Sequence, residues 1–302
     1  MTNFLYNYIY SKICCCFIVQ NENANEKNNK IIIYEKNKYI ITNNLIGKGH
    51  YGYVFLGLFK NKACAVKIVD KNKVKKYKID NEIKCLQILR FNVCKYIFNI
   101  YELIDKDYLY IISDIYANGD LYNYIETNKK VSEKVAQYIL YQLLNAINFL
   151  HTIGMTHRDI KPENIMIDNI NTFDIKLIDF GLCKIDKSII TNKNICRNWT
   201  RVGTTYYMSP EVINKFYSEK CDEWSCGILY FILLTGYPLY NGENEFIIIN
   251  NIKNNKYFID NKDWIKISQK SKDILNNLLN RDTAKRYSAN NIIKNYLHSH
   301  II

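Results

Sequence analysis

HRDIKPEN, residues 157–164, places His157, Arg158, Asp159, Lys161, Glu163 and Asn164 in one short stretch, a charge mixture that no fold requires for its own sake. A carboxylate, an ammonium and an amide so close together suit three tasks: taking a proton from a hydroxyl, neutralising a migrating negative charge, and holding a metal ion. Whether the octapeptide performs them depends on what the rest of the chain supplies.

Downstream, KLIDFG contains Asp179, a second carboxylate able to hold Mg²⁺ between two phosphates. Upstream stands GKGHYGYV, from Gly47 to Val54. A lone GxGxxG is weak evidence, because dinucleotide-binding folds use the same spacing with a helix starting at the glycines. Here no helix follows. YVFLGLF alternates like a strand, KNK breaks it, and ACAVKIV continues as a second strand, so the glycines belong to a hairpin. That context favours a flap over nucleotide phosphates, whose backbone needs Gly to approach the charge. Lys67 lies on the second strand, where an ammonium is costly unless partnered; phosphates and Glu82, on the following helical pattern, are the candidates. A strand Lys that snorkels to solvent is the plainer reading of the residue alone, and it loses most of its weight after a glycine flap.

The 302 residues are enough for one large domain or two lobes. A hydrophobic share of 48% and a charged share of 23% exclude disordered and membrane-spanning classes. Net charge is +12, which raises nucleic acid, anionic membrane and acidic proteins as partners. The lysines are spread widely, however, and no aromatic-basic RNA-binding module is present, so nucleic acid is not an expected partner. The cysteines include no paired CxxC knuckles and read as reduced thiols of a cytoplasmic protein. Cys14, Cys15 and Cys16 are the exception, a triplet open to two readings: palmitoylation with peripheral membrane association, or a tail of no special role. CGILYFILLTGYPLY, residues 226–240, is too short to cross a bilayer and reads as a buried helix.

Residues 1–38 read as an extension and linker. From Tyr39 come short β-type runs through YLYIISD, then long helical patterns after Gly119. The expected class is α+β and bilobal: a small β-rich N-lobe at 39–115 and a larger α-helical C-lobe at 116–302.

In order and spacing, the glycine flap, Ala65-Val66-Lys67, Glu82, HRDIKPEN, DFG and SPE at 209–211 together resemble a eukaryotic protein kinase from about Tyr39 onward. The resemblance implies ATP and Mg²⁺ as cofactors. Asp159, Lys161, Asn164, Lys67 and Glu82 take the catalytic roles, and Asn164 and Asp179 the metal. Nucleotide contacts then fall to Ile46, Gly47, Lys48, Gly49, His50, Tyr51, Gly52, Val54, Ala65, Lys67, Ser113, Asp114, Ile115, Asp120, Met166 and Asp179. Leu86, Ile100, His157 and Phe180 resemble the hydrophobic column of the family, Asp222 the brace of the catalytic-loop backbone, and Arg286 the partner of Glu211. The other reading kept open is a catalytically silent kinase-shaped scaffold, whose mark would be loss of Lys67, Asp159 or Asp179; all three are present.

Lys161 and GTTYYMSPE resemble serine/threonine kinases, and DFGLCK with GILYFILLTGYPLY resembles the calcium/calmodulin-dependent group, including calcium-dependent kinases. RNWTRVGT is similar instead to the cyclic-nucleotide-dependent group, with Thr200 as the activation phosphosite for an upstream kinase or for the protein itself. Expected protein substrates carry Arg three residues before the phosphoacceptor, read by Asp120 and Glu163; Asp120 also suits the ATP ribose. Ile232 stands where a second acidic site would read Arg at −2. No EF-hand loop or calmodulin-binding helix follows the kinase-like region, so direct calcium control is not expected from these residues. Two departures stand out: Cys94, Lys95 and Tyr96 lie near the place of the usual His-Pro-Asn, and Ser113 is a small gatekeeper. A small residue there opens space behind adenine. ATP-competitive inhibitors with large aryl groups should therefore inhibit the protein and lose potency against Ser113→Met; equal potency on both proteins contradicts the assignment.

Overall fold

Alternate residues along three runs, Tyr39 and Ile41, Cys64 and Val66, Tyr110 and Ile112, share one face and bury together with Ile104. The protein is described by a computed structural model for residues 30–34, 37–48, 52–185, 197–198, 204–214 and 216–298. Around that apolar face runs a six-stranded antiparallel sheet of β1 (Lys30–Tyr34), β2 (Asn37–Lys48), β3 (Gly52–Phe59), β4 (Lys62–Asp70), β5 (Ile100–Asp105) and β6 (Tyr108–Ser113), in the order β1-β2-β3-β4-β6-β5. β1 lies inside the stretch read as linker. Its KIIIY is rich in β-branched residues and pairs from Lys30 with Ile41, so the sheet starts ahead of residue 39.

Gly52 is dictated by its neighbour: a Cβ there would sit 2.0 Å from the Ile68 carbonyl oxygen on β4. After β4, helix α1 (Lys76–Phe91) buries Ile79, Glu82, Cys85, Leu86 and Leu89, the spacing of one helical face. Arg90 in its last turn pairs with the nearly buried carboxylate of Glu102 on β5, and Lys71 pairs with Asp105 at 2.7 Å.

Residues 92–98, counted with the smaller lobe in the sequence reading, belong to the second compact unit with residues from 116 onward. The reason is backbone pairing: Phe98 N–H donates to Leu177 O at 3.1 Å, and Leu177 N–H to Tyr96 O at 2.9 Å. This unit comprises α2 (Leu121–Asn128), α3 (Glu133–Thr152), β7 (Met155–Thr156), β8 (Ile165–Asn169), β9 (Asp174–Leu177), β10 (Lys184–Ile185), β11 (Arg197–Asn198), α4 (Pro210–Ile213), β12 (Phe216–Tyr217), α5 (Lys220–Thr235), α6 (Glu245–Lys253), α7 (Asn261–Trp264), α8 (Gln269–Leu278) and α9 (Ala289–Ile292). Side chains cap the starts of several: Asp120, Ser132, Asn244, Ser268 and Ser288 each accept a backbone N–H. The apolar stretch from Cys226 is buried through Thr235, and α5 ends at Gly236 with φ 84°. Among the described residues no helix is long and apolar enough to cross a membrane.

Arg90→Ala strands the Glu102 carboxylate without its cation. Because Arg90 itself is partly exposed, the expected loss is about 2 kcal/mol, read as a lower denaturation midpoint at constant slope; an unchanged midpoint removes the pair from the account of how α1 is held.

Candidate active site

The chain leaves α3 through β7 and enters the octapeptide with Arg158 in the left-handed region, φ 68°. A non-glycine residue there is held by its surroundings. Asp222, wholly buried at the start of α5, is what holds it: Oδ2 accepts the His157 N–H and Oδ1 the Arg158 N–H, both at 2.8 Å. Burial alone would raise the Asp222 carboxyl, but the His151 hydrogen bond and charge, with His157 and the Arg158 N–H, hold it below the ordinary carboxylate value. His151 Nε2 stands 3.0 Å from Asp222 Oδ2.

With the backbone so fixed, Asp159 collects donors. Asn164 Nδ2 donates to its Oδ2 at 2.9 Å and to its backbone oxygen at 2.8 Å. Lys161 Nζ lies 2.9 Å from Oδ2 and donates to Thr204 Oγ1 at 3.0 Å, and Thr204 Oγ1 is 3.4 Å from Oδ1. A carboxylate steered by an ammonium and an amide is equipped to accept a proton from an incoming hydroxyl. Because the Asn164 amino group faces Asp159, its side-chain oxygen is left as a hard, neutral donor.

β9 leads to Asp179, also left-handed at φ 61°. Its Oδ1 accepts the Gly181 N–H at 3.2 Å, and the Ile178 N–H bonds to Asn164 O at 2.9 Å, tying the two metal candidates to one backbone ladder. Buried Phe180 packs edge-on to His157 at 4.9 Å and stacks with Phe98 at 5.9 Å. Arg158 Nε donates to Leu182 O at 2.7 Å. Asp120 caps α2 and bridges to Met166 on β8. Further on, Arg286, fully buried, grips Glu211 of the SPE segment with both guanidinium nitrogens and lies over the Trp224 ring at 5.1 Å.

In the smaller unit, Lys67 Nζ reaches Glu82 Oε1 at 3.1 Å, from β4 to α1. Val54 is the register partner of both Gly47 and Lys67, and Ala65 of Ser113, so the strand-borne nucleotide candidates lie along adjacent ladders. Ile46 and Lys48 are on β2. Ser113 Oγ donates to Asp114 O at 3.3 Å, just before Ile115. The Asp114 carboxylate is held by Asn99 Nδ2 at 2.6 Å and by the Tyr101 hydroxyl. Burial, and then this carboxylate, push the Tyr101 phenol up and keep it a donor. Gly49, His50, Tyr51 and Thr200, like Cys14–Cys16, lie outside the described residues.

Thr204, Asn99, Tyr101, His151 and Glu223 have no functional role in the sequence reading. Thr204 sat inside the quoted GTTYYMSPE without a role. For His151 the available signal was a titratable ring closing an otherwise apolar helix, INFLHTIG.

Residues 40–297 match the family model described as the protein kinase domain. The chain is 35% identical over 292 residues to calcium-dependent protein kinase 4 of Plasmodium falciparum (isolate 3D7), covering 92% of this chain and 53% of that protein. Identity is again 35% to calcium-dependent protein kinase 4 of Plasmodium berghei (strain Anka), over 89% of this chain and 50% of that one. For calcium-dependent protein kinase 3 of the same organism it is 35%, over 85% and 46%. The chain spans about half the length of the curated relatives it matches.

Arg286→Met keeps much of the buried volume but leaves Glu211 without its cation. The expected cost is about 3 kcal/mol, measured by chemical denaturation; a loss below about 0.5 kcal/mol would show the pair to be incidental.

Proposed function

The chain belongs to the protein kinase family, as a serine/threonine kinase of the calcium-dependent kinase type, and from that premise we propose that it transfers the γ-phosphate of ATP to protein Ser and Thr hydroxyls through Asp159. The observation that carries the reading is the donor set on Asp159: Lys161, Asn164 and Thr204 around one carboxylate, on a loop fixed by Asp222.

Each residue then has a defined task. Asp159 accepts the proton of the attacking hydroxyl. Lys161 neutralises charge on the migrating phosphoryl group, and Lys67, oriented by Glu82, holds phosphate oxygens. Asn164 and Asp179 would hold Mg²⁺. Their hard oxygens fit that ion, which would take its remaining ligands from phosphate and water. Bound there, Mg²⁺ would offset phosphate charge. Gly47, Gly52, Val54, Ala65, Ser113, Asp114, Asp120 and Met166 are assigned to the nucleotide.

Glu163 is the better reader of Arg at −3. It is exposed and has no hydrogen-bond or ion-pair partner among the described residues, whereas both Asp120 oxygens are occupied by Asn123 at 2.7 and 2.9 Å. Phosphorylation of Thr200 supplies a dianion for Arg158 and Lys184, ordering the activation segment. Among the described residues Cys64, Cys85, Cys94, Cys183, Cys221 and Cys226 form no disulfide, which is compatible with the reducing, cytoplasmic setting proposed here.

Incubation with Mg·ATP and a Ser peptide tests the reading, with phosphosite mapping and Asp159→Asn as control. The wild type should label the peptide, at least about tenfold better with Arg than Ala at −3, and the variant should lose about 1,000-fold in kcat. Phosphate on Thr200 marks self-activation. ATP binding without transfer in any phosphorylation state contradicts the proposal and moves a scaffold role forward.

A further inference from the structure

Glu223 follows Asp222 on α5 and is almost wholly buried, yet among the described residues only one of its oxygens is used. Oε1 accepts the Ala289 N–H at 3.1 Å and lies 3.5 Å from His151 Nδ1; Oε2 has no hydrogen-bond partner among the described residues. A half-satisfied buried carboxylate costs stability unless a charge beside it compensates. That charge is on His151, whose other nitrogen, Nε2, faces Asp222. With a carboxylate at each nitrogen, the ring donates from both ends.

We infer that Glu223 is a positioning residue for phosphoryl transfer: it holds the Nδ1–H of His151, keeps the ring doubly protonated, and so fixes its Nε2–H on Asp222, the carboxylate that accepts the His157 and Arg158 amides. The inference rests on the kinase reading and deepens it. Glu223 touches neither the reacting groups nor the nucleotide residues; it works through two intermediaries.

The electrostatics run the same way. Burial by itself would lower the His151 pKa, but the Glu223 and Asp222 carboxylates overcome that and raise it to about 10. Burial would likewise raise Glu223, and His151 with Lys220 brings it below its ordinary value. His157 and Arg158, on the catalytic loop, act on Asp222 from the other side. Since the folded-state His151 pKa is raised, its stabilising contribution is full below the ordinary His value, declines steadily above it and is lost as pH climbs through about 10. Asp222 therefore keeps a charged donor throughout the neutral range. Glu223→Gln retains an oxygen for the Ala289 N–H and removes the charge, which brings the His151 titration down into that range.

The experiment compares kcat and KM of wild type and Glu223→Gln on a Ser peptide from about pH 6 to about pH 9. The variant-to-wild-type kcat ratio should be near one at the acid end and fall about fivefold at the alkaline end, the worth of charge assistance in one hydrogen bond, at unchanged peptide KM. A merely structural role lowers activity alike at every pH. NMR of ¹⁵N-His-labelled wild type, with His151 assigned by its loss in His151→Gln, should show an imidazolium persisting to about pH 9. A flat ratio in an active enzyme overturns this inference alone, as does a wild-type His151 already neutral by about pH 8. A wild type that transfers no phosphate at any pH overturns the kinase reading instead.

Discussion

Two backbone amides converging on one buried carboxylate organise the larger unit. Asp222 binds the N–H groups of His157 and Arg158, and charge-assisted bonds of this kind contribute about 1.5–3 kcal/mol each. That is enough to hold Arg158 in a left-handed conformation that a residue with a long side chain adopts at some cost. The side chains proposed for catalysis inherit their places from it. Once the 157–158 peptide is fixed, Asp159 faces Asn164, Lys161 and Thr204, and the next ladder, through Ile178 and Asn164, sets Asp179. Positioning of charges is the whole of what phosphoryl transfer asks of a protein, so a constraint on backbone geometry is also a constraint on rate.

The smaller unit meets a different requirement. Lys67 and Glu82 must meet although one is on a strand and the other on a helix, so α1 needs anchors of its own. Its buried face supplies most of the attachment, and the Arg90–Glu102 pair fixes its last turn to β5. Gly52 lets β3 lie against β4 where any side chain would strike the Ile68 carbonyl. Residues 92–98, which hold Cys94, Lys95 and Tyr96, are bound by backbone pairing to β9 within the larger unit.

Much of this is legible in the sequence. Strand alternation, the helical spacing of α1 and α3, and the glycine, HRD and DFG motifs each carry a local signal, and the fold class followed. Partners far apart in sequence were legible only where the family resemblance named them, as for Glu211 with Arg286 and for Asp222. Thr204, Tyr101, Asn99 and Glu223 were not, because a hydroxyl, an amide or a carboxylate reads alike in a solvated turn and in a buried network. β1 was hidden for another reason: its KIIIY follows a polar run and is too short to declare a strand until β2 offers an edge to pair with.

The dependence of the site on Asp222 can be measured by replacing one oxygen with an amino group, Asp222→Asn, which keeps size and burial but turns one acceptor into a donor facing the loop. Steady-state kinetics with Mg·ATP and a Ser peptide should show kcat reduced about 100-fold, the equivalent of losing one to two charged hydrogen bonds, with KM for ATP within about threefold of wild type. A variant that stays folded and keeps wild-type kcat would contradict the account, because the catalytic loop would then hold its geometry without the carboxylate.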